Sequence, residues 1–328
     1  MSFTVFRNKP KLRRAVEFSI KLVILLLLFA TLYWHVAKRD DIDQVISEIA
    51  LSFDKNHNLI LLVFGLMFVN WGIEALKWKL LINRAEPLSF IKSYLAVYSG
   101  ATLTLFTPNR IGEYGGRFIF LKNPLRSETI QATILGSIAQ IWVTILAGLI
   151  GLFWWLSGSG DAYGMVPQVL FYMGQLAAIL ILTFLYFRLD LIAALLGKIT
   201  WLAKYQSKWL TLINFSTSEL AVVLILAALR YGVYTFQFLL LLYAFDVDVS
   251  VGHGIALIAT FFLFQSSVPT IAIIDLGIRG NLALFVFAGY TSQIEQVVVS
   301  SFSLWLINLV IPAILGYIII LSTKLFKS

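Results

Sequence analysis

Four ionisable side chains stand in two matching triplets. One is Glu113-x-Gly115-x-Arg117 and the other is Asp275-x-Gly277-x-Arg279. Each has a proline upstream, Pro108 before Glu113 and Pro269 before Asp275. Both triplets interrupt long apolar stretches, where a charged group costs roughly 2.5–3.5 kcal/mol or more near a bilayer centre. The arginines can hold an anion such as phosphate. The acids can pair with those arginines, bind a cationic group or carry a proton. If each acid only neutralised its neighbouring arginine, the duplication would have no explanation. The same charges in the same order at two interruptions point to a site built from two repeats, the plan of transporters whose broken helices meet near the membrane midplane.

Other residues join these by type and place. Arg110 lies beside the first triplet, and Gly112, Gly115, Gly116, Gly277 and Gly280 give the backbone the freedom a broken helix needs. Amides exposed at a half-helix start, next to Arg110, Arg117 and Arg279, would seat an anion. Arg230 falls mid-way along an apolar run and is a functional candidate by default, with Glu113, Asp275 or a carbonyl as its alternative partner. Glu74, close to Lys77 and Trp78, reads as an interfacial residue. Asn70, Gln140, Gln237 and Asn308 read as interhelical hydrogen-bonding groups that can also line a cavity. His35, His57 and His253 have no metal-ligand spacing, so no metal site is expected. No phosphate-binding loop or other cofactor motif is present, and no cofactor is expected.

The elements that position these residues follow from composition. Of 328 residues, 59% are hydrophobic and 13% charged, and the mean hydropathy is +0.87. Soluble domains carry about 25% charged residues, so the chain reads as an all-α polytopic membrane protein, one integral membrane domain over 1–328. There is no cysteine, hence no disulfide or thiolate chemistry. The net charge of +8 fits basic cytoplasmic loops and excludes no membrane role; nucleic acid is not an expected partner. The basic segment Arg7–Arg14 precedes an apolar run without a cleavage pattern, which predicts an uncleaved first helix with its basic end in the cytoplasm.

Eight hydrophobic regions are visible. Six are expected to span, near 19–37, 58–78, 128–156, 166–187, 219–245 and 298–322. The other two, 92–122 and 253–290, are cut by the charged triplets and predict re-entrant helical hairpins. Loop charges agree: with 92–122 as a hairpin, the loops holding Lys77, Lys79, Arg84 and Lys92, then Lys122 and Arg126, then Arg188 to Lys208, all fall inside. Both termini are then cytoplasmic. Repeat one, about 58–156, and repeat two, about 219–322, have opposite orientation and form an inverted-topology repeat. Two further stretches are expected to lie flat on the membrane. In the first, Ile42, Val45, Ile46, Ile49 and Phe53 share a face; in the second, Ile199, Leu202, Trp209 and Ile213 alternate with Lys198, Lys204 and Lys208.

The run Thr107-Pro108-Asn109-Arg110-Ile111-Gly112-Glu113-Tyr114-Gly115-Gly116-Arg117, with Ser267-Val268-Pro269 and Asp275-Leu276-Gly277-Ile278-Arg279 downstream, resembles the lysylphosphatidylglycerol synthase transmembrane family, the flippase-like integral membrane proteins. The resemblance covers essentially the whole chain. It departs after Pro269, where Ile271 to Ile274 replace a more glycine-rich pattern. The resemblance implies a bacterial cytoplasmic (inner) membrane protein. In fused members it implies a membrane domain that moves aminoacylated phosphatidylglycerol between leaflets, while a separate soluble domain makes that lipid. The chain stops at Ser328, just after the last apolar run, so lysyl transfer is not expected of it.

The expected function is therefore a lipid translocase rather than an enzyme. A membrane lipid with an anionic or zwitterionic head group would enter a groove between the hairpins. Arg110, Arg117, Arg230 and Arg279 would take its phosphate, with Glu113 and Asp275 facing a cation or exchanging protons. One rival is a small-solute or ion transporter of the same architecture. Another is a membrane transferase, against which stand the missing metal motif and nucleophile. A third is a non-catalytic partner of a lipid-synthesis system, and a homo-oligomer is compatible with all of these.

Overall fold

Long apolar runs leave the backbone no hydrogen-bond partner but itself, so such segments fold as helices. The computed structural model describes residues 42–83, 85–107, 112–122, 127–157, 165–191, 215–268 and 272–323, and every regular element among them is helical. In chain order these are α1 (Ile42–Lys55), α2 (His57–Ile82), α3 (Phe90–Phe106), α4 (Gly112–Phe118), α5 (Ser127–Ser157) and α6 (Met165–Phe187). After them come α7 (Thr217–Ala244), α8 (Val251–Ser266), α9 (Ala272–Phe287) and α10 (Ile294–Trp305). The last element passes through a π-helical turn, Leu306–Val310, into α11 (Ile311–Ser322).

Five helical stretches are long and apolar enough to cross a membrane: His57–Ile82, Ile130–Ser157, Val169–Phe187, Thr217–Ala244 and Ile294–Ser322. They coincide with five of the six expected spans, and the chain is an integral membrane protein. The expected first span, near 19–37, and the basic stretch around Ile199–Ile213 lie outside the described residues. One boundary is corrected. The second span does not end near 78 with Lys77 and Lys79 in the following loop; α2 continues to Ile82, and Lys77 and Trp78 are buried within it.

Local chemistry fixes where the shorter helices start and stop. Ser89, Ser216 and Ser250 cap α3, α7 and α8, each accepting a backbone N–H three residues on. Glu219 returns the bond to Ser216 and completes a capping box. Pro108 disfavours a helical conformation in the residue before it, and Thr107 is extended, with φ −122° and ψ 138°. Thus α3 ends where the first triplet begins. The π turn has an equally local cause. Pro312 has no N–H to give the Asn308 carbonyl, and the Trp71 indole supplies it instead at 3.2 Å.

Packing pairs the helices across the molecule. α2 runs along α7, α3 packs on α11, and α8 packs on α5. The α3–α11 contact is close enough that a Cβ on Gly316 would overlap the Tyr98 carbonyl, and Thr102 Oγ1 donates to the Ala313 carbonyl at 2.7 Å. Helix α4 folds back on α3 at similarly close range, where a Cβ on Gly116 would meet the backbone of Ser99 and Gly100. Beyond α4, the Lys122 N–H donates to the Glu86 carboxylate at 2.9 Å, just ahead of α3. In the other region, the His253 and Tyr290 rings lie 6.3 Å apart, joining the start of α8 to the segment after α9. Helix α6 is peripheral, held to α5 by the Trp142 indole on the Leu182 carbonyl at 2.8 Å.

At the end where α1 meets α2, one residue ties three elements. Asp246 takes a left-handed φ of 54°. Its carboxylate accepts from Ser52 Oγ at 2.8 Å and Lys55 Nζ at 3.2 Å, and its carbonyl accepts from Gln293 at 2.8 Å. The Ser52 hydroxyl, followed by the Lys55 ammonium, holds this carboxyl below its ordinary range. On α1 itself, Ile46 and Phe53 from the expected apolar face are exposed.

Candidate functional site

The first triplet does not stand alone. On α4, Glu113 and Arg117 are one turn apart and in direct contact through Oε1 and Nη2. The same Arg117 Nη2 donates to Glu74 Oε1 on α2 at 2.8 Å. The other Glu74 oxygen lies 2.7 Å from Lys77 Nζ and 3.1 Å from Arg230 Nη1 on α7. Lys77 and Arg230 thus share the Glu74 oxygen that Arg117 leaves free. Arg230 Nη1 also approaches Gln140 Oε1 on α5 at 3.4 Å. The guanidinium of Arg117 lies 5.5 Å from the Trp78 ring, and that of Arg230 lies 5.5 Å from Trp71. Glu74 thus gathers cations from three helices, with two tryptophans of its own helix beneath them.

The second triplet makes a simpler unit on α9. Arg279 Nε donates to Asp275 Oδ2 at 2.9 Å, and Gln265 on α8 donates to Asp275 Oδ1 at 2.9 Å. Arg279 Nη2 reaches the Tyr234 hydroxyl on α7 at 3.5 Å. Tyr234 follows Arg230 by four residues, so the two share a face of α7 about 6 Å apart along the axis. That face carries a member of each charged unit. Helix α9 also touches α3.

Burial separates the roles. The Arg117 and Arg279 side chains are 2% and 6% exposed, while Glu113 and Asp275 are 19% and 16% exposed. In both units the acid faces the more open side and the arginine is sealed behind it. Arg230, at 15%, is the most open of the arginines in these units. Around the first pair, Gly112 and Gly116 are buried against α3, whereas Gly115 is exposed. The Gly112 N–H, an amide at the half-helix start, is taken by the Thr107 hydroxyl at 2.7 Å. Gly277 and Gly280 are buried in α9. Arg110, Pro108 and Pro269 lie outside the described residues.

Four members of the site were not expected from the sequence. Glu74 is no interfacial residue: it is 5% exposed and forms the hub. Lys77 is 1% exposed rather than in a loop. The usable signal was helical spacing, since Asn70, Trp71, Glu74, Lys77 and Trp78 fall on one side of a single apolar helix. Tyr234 and Gln265 were missed as well, and no pattern in the sequence singles them out. Asn70 and Gln237 make the interhelical bonds expected of them, to Asn308 Oδ1 at 3.0 Å and the Val63 carbonyl at 2.8 Å.

No curated protein and no solved structure matches the chain. The family described as lysylphosphatidylglycerol synthase TM region matches residues 18–316, a span that includes both triplets and the Glu74 hub, and the chain belongs to that family.

Proposed function

We propose that this protein is a lipid translocase, not an enzyme, and that it moves a membrane lipid with an anionic or zwitterionic head group between leaflets. One observation carries the reading: two acid–arginine units, from separate parts of the chain, converge on one face of α7, the first at Arg230 by way of Glu74 and the second at Tyr234 directly. The family description, which names a phospholipid product, supports a lipid as cargo.

In this reading α3–α4 and α8–α9 are re-entrant hairpins. The Lys122–Glu86 bond and the His253–Tyr290 contact support a return of each region to the end it left. Reciprocal packing supports an inverted repeat of about 58–156 and 219–322. The leading helices α2 and α7 pair with each other, and each hairpin packs on the closing helix of the other repeat, α3 on α11 and α8 on α5. The basic loops support an orientation with both termini in the cytoplasm, and the family supports a bacterial inner membrane. The head group lies against Glu113, Asp275 and Arg230, the more open members of the two units, while the acyl chains stay in the bilayer.

The test is exchange of labelled phospholipids between leaflets of liposomes holding the purified chain. Exchange should fall at least tenfold in Arg230→Gln, a loss of about 1.4 kcal/mol or more. Wild-type protein that exchanges no phospholipid at all would defeat the proposal.

A further inference from the structure

The two units differ in charge, and the difference assigns the anion. Among the described residues, Lys77, Arg117 and Arg230 face Glu74 and Glu113, which leaves one positive charge in excess. On the second hairpin Asp275 and Arg279 cancel. A net charge held largely buried among nonpolar helices favours a counter-ion, because the low dielectric makes an uncompensated ion costly. The donors for one are in place. Arg117 Nε and Arg230 Nε are buried and have no acceptor. Arg279 Nη1 is also without one, but a spare donor in a neutral pair needs only a water, whereas the first cluster needs a charge.

We infer that the cluster of Glu74, Lys77, Arg117 and Arg230 is a one-sided seat for a phosphate-type oxyanion, reached through Arg230, and that the second hairpin carries no equivalent seat. Geometry places the anion beside Arg230. Glu113 occupies Arg117 Nη2 and repels an anion on its own side, while among the described residues Arg230 touches no acid but Glu74. The Trp78 and Trp71 rings each lie 5.5 Å from a guanidinium group, so part of the side-chain freedom of Arg117 and Arg230 is already lost before binding. The inference rests on the translocase reading for its lipid source alone. The charge excess itself fits a lipid phosphate or free inorganic phosphate equally.

Gln140 supplies the decisive variant. Gln140→Glu is nearly isosteric, sits 3.4 Å from Arg230 Nη1, and would cancel the excess charge from within. The experiment follows the thermal unfolding midpoint of the purified chain in phosphate-free maltoside micelles. Phosphatidylglycerol, phosphatidylcholine, diacylglycerol and inorganic phosphate are titrated separately. In wild type the two phospholipids should raise the midpoint and diacylglycerol should not. Gln140→Glu should unfold at a higher midpoint without lipid, and its apparent affinity for the phospholipids should fall by about tenfold to a hundredfold. Arg230→Gln should lose the protection and Arg230→Lys should keep part of it.

Protection by inorganic phosphate with no added benefit from lipid would uphold the seat and name a soluble anion as its ligand, which counts against the lipid reading only. Phospholipid protection without leaflet exchange would likewise keep the seat and sink translocation. The seat is overturned if no phosphate compound protects the wild type, the result expected when Lys77 is held uncharged. Equal protection of Gln140→Glu and wild type would overturn it too.

Discussion

The two hairpin regions carry nearly the same triplet yet are built differently. The α3–α4 region closes backbone against backbone, with Gly116 on Ser99 and Gly100, and plugs its arginine into a hub that α2 and α7 complete. The α8–α9 region closes through a side chain, Gln265 on Asp275, and among the described residues its arginine finds its own acid and a tyrosine. A local motif therefore sets an ion pair, and the helix packed against it sets the charge that the pair must live with. Glu74 and Lys77 on α2 are what make one copy a crowded cluster and the other a neutral couple.

The sharpest way to break this comparison is to remove the acid from each. Glu74→Ala leaves Lys77, Arg117 and Arg230 with one carboxylate, and should cost about 3–5 kcal/mol, the loss typical of breaking a buried ion pair. Asp275→Asn, which strands one arginine and keeps a partner for Gln265, should cost less. Unfolding of both variants in a detergent-denaturant titration measures the gap, and equal losses would erase the distinction.

Closure can be compared next. Gly116→Ala drives a methyl into the α3 backbone and should cost about 2–4 kcal/mol, whereas Gly115→Ala, exposed and facing only the end of Leu103, should stay within about 0.5 kcal/mol. Gln265→Leu in the other hairpin removes one hydrogen bond to a charged group and should fall between them, at about 1.5–3 kcal/mol.

Apart from the Gly115 control, the smallest effect lies at the end of the bundle where α8 begins. Because Asp246 titrates below its ordinary range in the folded chain, its contribution is present above the unfolded carboxylate pKa and fades as pH falls through the folded value. Its side chain is 45% exposed, so solvent screening limits this to under about 1 kcal/mol. Ser52→Ala should flatten the stability loss between neutral and acid pH by that amount. An unchanged acid profile would show that the Ser52 hydrogen bond does not set the carboxyl.

Much of the framework is legible in the sequence because each feature has a local cause. Long apolar runs specify spans, Pro108 stops α3, and an acid four residues before an arginine pairs with it. What was not legible is tertiary. Nothing local says that Arg230 meets Glu74 instead of Glu113 or Asp275, since that contact joins residues on two separate spans. Glu74 and Lys77 were misplaced for a related reason. Charges near Trp78 look like a membrane boundary, and only their burial within α2, which continues to Ile82, shows that they face the protein interior. Tyr234 is silent in the same way, because a tyrosine in an apolar run is ordinary until an arginine arrives from another helix.

Trp71 has one further consequence. Its ring lies against Arg230, while its indole N–H holds the Asn308 carbonyl that Pro312 leaves free. The same residue is therefore a shared pin between the charged cluster and the joint in the last span. Arg230 cannot swing far from its place without loosening Trp71, and a loosened Trp71 releases the joint. Beyond the joint, the Ala313 carbonyl is bonded to Thr102 on α3, so a bend there would be passed to the hairpin that carries Glu113 and Arg117. The cluster and the hairpin are linked twice, once through charge and once through this mechanical train.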